Sequence, residues 1–318
     1  MRRPQFTTFL KIAFSLALMV YLFSQINILD LLDRYRSINL AWIVLCLFFL
    51  LFQTLFSSFK WKTILKSDQI DLPVGYLWRT YLISNFFSLF LPSSIGGDFY
   101  RIYTVQSASQ NLSKSTTSVV FDRMTGLFAL LSIAFVSSLF LPGNQYLVLT
   151  SGLYLAAILG FLVMSSDYVN QKLSATRFRG SQLILKLQTS FNKYRKNTSS
   201  LLLVLLISIF FQFNIVLSNK FYVLSLGIDV PFSQLLIIIP LIHLIEAIPV
   251  SINGFGVREG AYVFFFTLIG RTKEEGLAVS LLMVLLRYVL GSLGGLLWLT
   301  RSEKTQSVLQ EPGGNSSS

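Results

Sequence analysis

Three stretches of this chain set ionisable residues next to glycines inside otherwise apolar sequence. "LPSSIGGDFYR" brings Asp98 and Arg101 after Gly96 and Gly97. "IPVSINGFGVREG" carries Asn253, Gly254, Gly256, Arg258 and Glu259, and Arg287 stands within "LLMVLLRYVLGSLGG". A guanidinium is a planar fork of donors that matches a phosphate, and glycine turns let backbone N–H groups approach an anion. The chemistry on offer is recognition of a phosphate-bearing head group, with Asp98 and Glu259 orienting the arginines beside them. Two plainer alternatives stand next to it: the glycines serve close helix packing, and Arg287 is a structural partner of Asp98, Glu246 or Glu259. Glu246 follows His243 by three residues, so the two share a helix face, either to hold an amino group or proton or as a histidine hydrogen-bonded inside a bundle. Asp122 and Arg123 open an apolar run, where a snorkelling interfacial pair competes with a binding role. Asn85 and Asn253 are candidate caps for broken helix ends.

These residues need elements to hold them, and composition names the class. Of 318 residues 53% are hydrophobic and only 13% charged, with a mean hydropathy of +0.64, which describes an all-α, polytopic membrane protein. Cys46 and His243 are the chain's single cysteine and single histidine, which excludes a disulfide framework and a Cys/His metal site. No nucleotide-binding "GxxxxGK[ST]" occurs, so ATP bound to this chain is not an energy source. No metal, other cofactor or nucleic-acid partner is expected.

A span needs about 20 apolar residues, and six runs come near it: 7–25, 39–59, 119–141, 145–164, 200–224 and 277–300. The basic start followed by an apolar run without a small-residue cleavage site favours an uncleaved first span over a signal peptide. Arg2 and Arg3, then Lys60, Lys62 and Lys66, then the basic loop at 165–200, mark cytoplasmic segments. Loops 26–38 and 271–276 are charge-balanced, as external loops are. With those sides fixed, 76–118 must enter and leave from the cytoplasm and 233–270 from outside, so both are expected to be re-entrant hairpins, tolerated where protein or a water-filled cavity satisfies their freed backbone groups. Both termini are then cytoplasmic. Within the loop, "SQLILKLQTSFNKYRK" reads as an interfacial helix on anionic lipid, and 305–318 as a disordered tail. The rest, 1–304, is expected to be one transmembrane domain.

"PSSIGGDFYR" (92–101) and "PVSINGFGVR" (249–258) share Pro, Ser, Ile, Gly and Arg at a constant offset of 157 residues. The same shift carries 119–141 close to 277–300, and a similar one carries "SSFKW" onto "LSNKF". The chain is expected to be an inverted repeat, half one at about 5–141 and half two at about 145–301, with the broken segments meeting near the midplane. Arg101 and Arg258 are repeat partners and would approach one cavity from opposite sides. Chance likeness of two Pro-Gly turns is the alternative.

In order and spacing, "NFFSLFLPSSIGGDFYR", "FDRMTG", "IPVSINGFGVREG" and the arginine in the last span resemble the lysylphosphatidylglycerol synthase transmembrane (flippase-like) family of bacterial and archaeal membrane proteins, over roughly 5–300. The resemblance implies a plasma-membrane location and translocation of a membrane phospholipid or glycolipid. No soluble aminoacyl-transferase domain follows residue 304, so the lipid-modifying reaction is expected in a separate enzyme, and the substrate need not be lysylphosphatidylglycerol. An integral membrane transferase using Asp98, Glu246 or Glu259 as base, and a non-catalytic scaffold for a separate synthase, are the alternatives. Against the transferase, no tight carboxylate pair or nucleophile–base constellation is visible.

Overall fold

The structure, a computed structural model, describes residues 3–90, 96–140, 144–164, 198–248 and 250–300. The first hairpin's tip at 91–95, the basic loop with its expected interfacial helix, and the tail lie outside them. Among the described residues there are eleven helices and no strand: α1 (Arg3–Ser24), α2 (Ile28–Arg36), α3 (Leu40–Ser67), α4 (Val74–Phe90), α5 (Gly96–Ser109), α6 (Leu112–Ser138), α7 (Asn144–Met164), α8 (Thr198–Ser225), α9 (Phe232–Glu246), α10 (Val257–Leu268) and α11 (Lys273–Leu299). The all-α class is as expected from composition. Four helices, α3, α6, α8 and α11, are each long and apolar enough to cross a membrane; α1 and α2 form a pair bent by 86°, and α7 holds a shorter apolar stretch. Segment 26–38 is thus mostly helix α2 rather than a plain loop.

Helix starts follow local chemistry. Asn27, Asn39 and Asn111 precede α2, α3 and α6, each accepting a backbone N–H of the first turn at 3.0 Å, and Thr272 with Glu275 forms a reciprocal capping box on α11. α3 runs eight residues beyond the end expected from hydropathy, to Ser67, which moves Lys60 from a cytoplasmic flank into a helix interior. Hydropathy stops at the first charge because it does not see the partner that neutralises it.

The packing pairs recur. α3 packs on α4, α4 on α5, α5 on α6, and α3 on α6; the same pairs join α8, α9, α10 and α11. Contacts across the two sets also match: α4 lies on α11 and α9 on α6, while α6 meets α8 and α11 meets α3. Each helical hairpin therefore leans on the last long helix of the other set. On the α4–α11 seam, a Cβ built at Gly294 would overlap the Leu82 carbonyl, one at Gly291 the Leu89 side chain, and one at Gly295 would come to 2.8 Å from the Phe86 ring. Glycine there permits backbone approach that any side chain forbids.

Both ends of each hairpin lie at one end of the bundle. Lys114, just after α5, donates to the Asp68 carbonyl just before α4 at 3.0 Å. For the second hairpin, α2 is the bridge. Asn39 N–H bonds the Ser225 carbonyl at 2.9 Å, while Arg34 pairs with Glu275 at 3.0 Å and Tyr35 donates to the Ala278 carbonyl at 2.8 Å.

Two tests follow. Single cysteines at 75 and 114 on a Cys46→Ala background will label from the same face of sealed vesicles, and those at 229 and 273 together from the other; opposite-side labelling within a pair would exclude re-entry. Gly294→Val will lower the melting temperature, at an overpacking cost of about 1–3 kcal/mol, whereas Gly152→Ala on α7, with nothing within 4 Å of its Cβ, will leave it level or slightly raised.

Candidate functional site

Two charge clusters sit inside the bundle, one built by α3–α6 and one by α9–α11. In the first, Asp122 is the hub. Its carboxylate takes Lys60 Nζ at 2.7 Å, Arg101 Nη2 at 2.8 Å and the Tyr81 hydroxyl at 2.9 Å, and Lys60 also donates to the Asp122 carbonyl at 3.0 Å. The Arg101 side chain is 2% exposed, and its guanidinium sits in the corner of two rings that meet edge to face, 4.3 Å from that of Trp61 and 4.2 Å from that of Tyr81. Each face is worth about 0.5–2 kcal/mol when desolvated. Trp61 is itself fixed by its indole N–H on Ser118 at 3.1 Å. At the cluster's edge Asp98 takes two bonds from Arg123, from Nε at 3.1 Å and Nη2 at 3.0 Å, and a longer contact from Arg101 at 3.5 Å.

The second cluster centres on Glu246 at the end of α9. One carboxylate oxygen takes Arg287 at 2.8 Å and Arg258 at 3.3 Å, and the other meets His243 Nδ1 at 3.1 Å. Arg258 is also held by Glu259, at 2.7 Å from Nη2 and 3.1 Å from Nε. The other oxygen of Glu259 accepts the Gly256 N–H at 2.6 Å, which fixes the start of α10. Two arginines thus face two carboxylates, and the ionic charges balance.

Beside the second cluster the two hairpins touch. Asn253 Nδ2 donates to the Leu89 carbonyl at 3.1 Å, so Asn253 caps a broken helix end, that of α4 in the opposite hairpin. Asn85 stands inside α4, away from its end. The turn before α10 needs glycine: Gly254 and Gly256 have φ of 77° and 81°, and Asn253 at 51° is a residue type that tolerates the left-handed region. Gly254 also sits against Glu246, with its Cβ position 2.9 Å from Glu246 Cγ. Gly97 answers to packing instead, since a Cβ there would overlap Ser84 and Ser88 of α4; Gly96 beside it is buried. α1 braces this turn through Ser15, whose hydroxyl accepts the Ile252 N–H at 3.3 Å.

Apart from Asn85, the candidates singled out by sequence are in or beside these clusters, but the grouping differs from expectation. Arg101 and Arg258 are each engaged by carboxylates of their own cluster rather than aimed together into one cavity. For Arg287 the partner is Glu246, one of the three carboxylates considered; Asp98 and Glu259 are engaged elsewhere. Lys60, Trp61 and Tyr81 escaped sequence reasoning. "SSFKW" was visible as part of the repeat, yet Lys60 was counted as a topological marker. Two arginines of the clusters keep accessible surface: Arg287 at 32% and Arg123 at 63% side-chain exposure. By insertion scales an arginine at a helix centre costs about 2.5–3.5 kcal/mol, and the carboxylate each one keeps, Glu246 for Arg287 and Asp98 for Arg123, offsets part of that cost.

The two hubs differ in what a deletion leaves behind. Glu246→Gln strands Arg287 without a carboxylate and will cost about 3–5 kcal/mol, read as a large drop in melting temperature in detergent. Arg287→Gln leaves Glu246 with Arg258 and His243 and will cost less, about 1–2 kcal/mol. The reverse order would show that Glu246 does not hold Arg287.

The comparisons with known proteins agree with this architecture. The family described as lysylphosphatidylglycerol synthase TM region matches residues 8–295. A UPF0104 membrane protein from Methanocaldococcus jannaschii is 23% identical over 233 residues, covering 71% of this chain and 97% of its own length. No solved structure matches the chain. A match running from within α1 into the last turns of α11 includes both hairpins and both charge clusters, and this multi-pass membrane protein belongs to the lysylphosphatidylglycerol synthase transmembrane-region family.

Proposed function

We propose that the chain is a flippase-like transporter, moving a polar, phosphate-bearing lipid between the leaflets of the inner (plasma) membrane of a bacterium or archaeon. The head group passes between the two hairpins while the acyl chains stay in lipid. The observation that carries this reading is the recurrence of one packing pattern in α3–α6 and α8–α11, with the two broken segments meeting at Asn253 and Leu89. An odd number of crossings in each half makes the halves inverted, with N- and C-termini in the cytoplasm, and an inverted pair of broken segments supplies equivalent gates to the two sides.

Transport is favoured over catalysis by the state of the buried acids. Asp98, Glu246 and Glu259, the three candidate bases, are each tied to one or more cations, so none stands free as a general base. The lipid-modifying step then belongs to a separate enzyme. Family membership carries a role connected with membrane lipid, and translocation is our extension of it.

The test is reconstitution into liposomes with trace fluorescent phosphatidylglycerol, phosphatidylethanolamine or a polyprenyl phosphate, followed by a quencher that does not cross the bilayer. Protein-dependent loss of the protected inner-leaflet signal for at least one lipid is expected. Exchange no faster than in empty liposomes for the whole panel would reject the reading, and a chemically altered lipid in the mass spectrum would turn it toward the transferase.

A further inference from the structure

His243, the chain's single histidine, sits in the last turn of α9, three residues before Glu246. An ionised carboxylate only accepts hydrogen bonds, so the contact of Nδ1 with Glu246 at 3.1 Å puts the ring proton on Nδ1. Nε2 then carries a lone pair. Among the described residues that atom is buried and nothing donates to it, although the side chain as a whole is 13% exposed. A buried acceptor without a donor is costly, and a proton would satisfy it.

The charges around the ring give that proton a consequence. With a neutral imidazole, Arg258 and Arg287 balance Glu246 and Glu259. A third cation upsets the count, and it lands on the most shared carboxylate, since Glu246 already takes Arg287 at 2.8 Å and Arg258 at 3.3 Å. Arg258 has a second carboxylate, Glu259, at 2.7 Å. Arg287 has no other among the described residues, and it keeps 32% of its side chain exposed. An imidazolium, favoured at the C-terminal end of a helix, turns the bond to Glu246 into a charge-assisted one and weakens the hold on Arg287.

The other ionisable groups on the helices packed against α9 are engaged elsewhere or uncharged. Lys114 of α6 is held by the Asp68 carbonyl, Asp122 and Arg123 belong to the first cluster, and Lys220 of α8 donates to the Val230 carbonyl. The phenols near Arg287, Tyr222 of α8 and Tyr262 of α10, are buried, and Tyr262 donates to Asn219. In the register of the repeat, 157 residues back, His243 and Glu246 fall on Phe86 and Leu89. The arrangement is confined to the second half.

We infer that His243 is a proton-binding site that competes with Arg287 for Glu246, so that each proton taken up loosens the Arg287–Glu246 pair. The proton comes from water and adds to the Nε2 lone pair, while Nδ1–H stays on Glu246. That this proton is coupled to lipid movement rests on the transport reading; the site and the competition do not.

The test of the site is a pH titration of the full chain in detergent with 15N-labelled histidine, followed by NMR. A single histidine gives one pair of ring signals, and their midpoint reads its proton affinity. Wild type is expected to titrate as one group between pH 5 and 8, the range in which imidazole changes charge. Arg287→Gln removes the competing cation and will bind the proton about tenfold more tightly; Arg287→Met, which suits apolar surroundings, will do the same and decides the matter if the Gln variant does not fold. Arg287→Lys keeps the charge and will stay near wild type. A ring that does not change charge across this range, or a midpoint unmoved in the uncharged variants, overturns the site. Coupling is read in the liposome assay with phosphatidylglycerol or phosphatidylethanolamine, whose head groups hold their charge between pH 5.5 and 7.5. The wild-type exchange rate will differ severalfold between those two values and that of His243→Gln will not; equal wild-type rates overturn the coupling alone. Absence of exchange at every pH rejects the transport reading and leaves the titration to judge the site.

Discussion

An ionised side chain carried into hydrocarbon must take its counter-charge with it, and the arrangement around Asp122 shows how far that requirement reaches. One carboxylate on α6 fixes Lys60 from α3, Arg101 from α5 and the Tyr81 hydroxyl from α4. Four helices are thereby held at one point by bonds that neither water nor lipid can replace. Packing alone is a weak guide to helix order in a membrane, because lipid tails are as apolar as the side chains that would pack. Polar contacts of this kind set which helix touches which.

The same constraint governs the broken segments. A helix that stops inside a bundle leaves carbonyls without partners, and α4 is served by Asn253 from the opposite hairpin. Arg258, Glu246 and Glu259 then fix the turn that carries Asn253, with Gly254 placed against Glu246. The polar network and the meeting of the hairpins are one construction. Glu246 is linked through Arg258 to the turn whose Asn253 reaches Leu89.

Charge also distinguishes the two halves. Their helices pack alike, but the second cluster is balanced and the first is not. The difference is Arg123, which together with Lys60 and Arg101 outnumbers Asp98 and Asp122 and is the most exposed of the five side chains.

The sequence by itself determined the all-α class, the order of the long apolar helices and nearly all the candidate residues. Hydropathy marks lipid-facing helices directly, and a charge inside an apolar run stands out against it; even the second hairpin's reach was legible in the Pro, Ser, Gly and Arg shared at an offset of 157. What only the tertiary structure decided is who pairs with whom. Asp122 and Arg101 are 21 residues apart, Glu246 and Arg287 41, and Asn253 and Leu89 164, separations at which periodicity says nothing. Lys60 shows the limit most plainly. Along the chain it ends a hydrophobic run and reads as a cytoplasmic flank, yet in the fold it is buried against Asp122, because the free energy of a charge in a membrane depends on a partner that the local sequence does not contain.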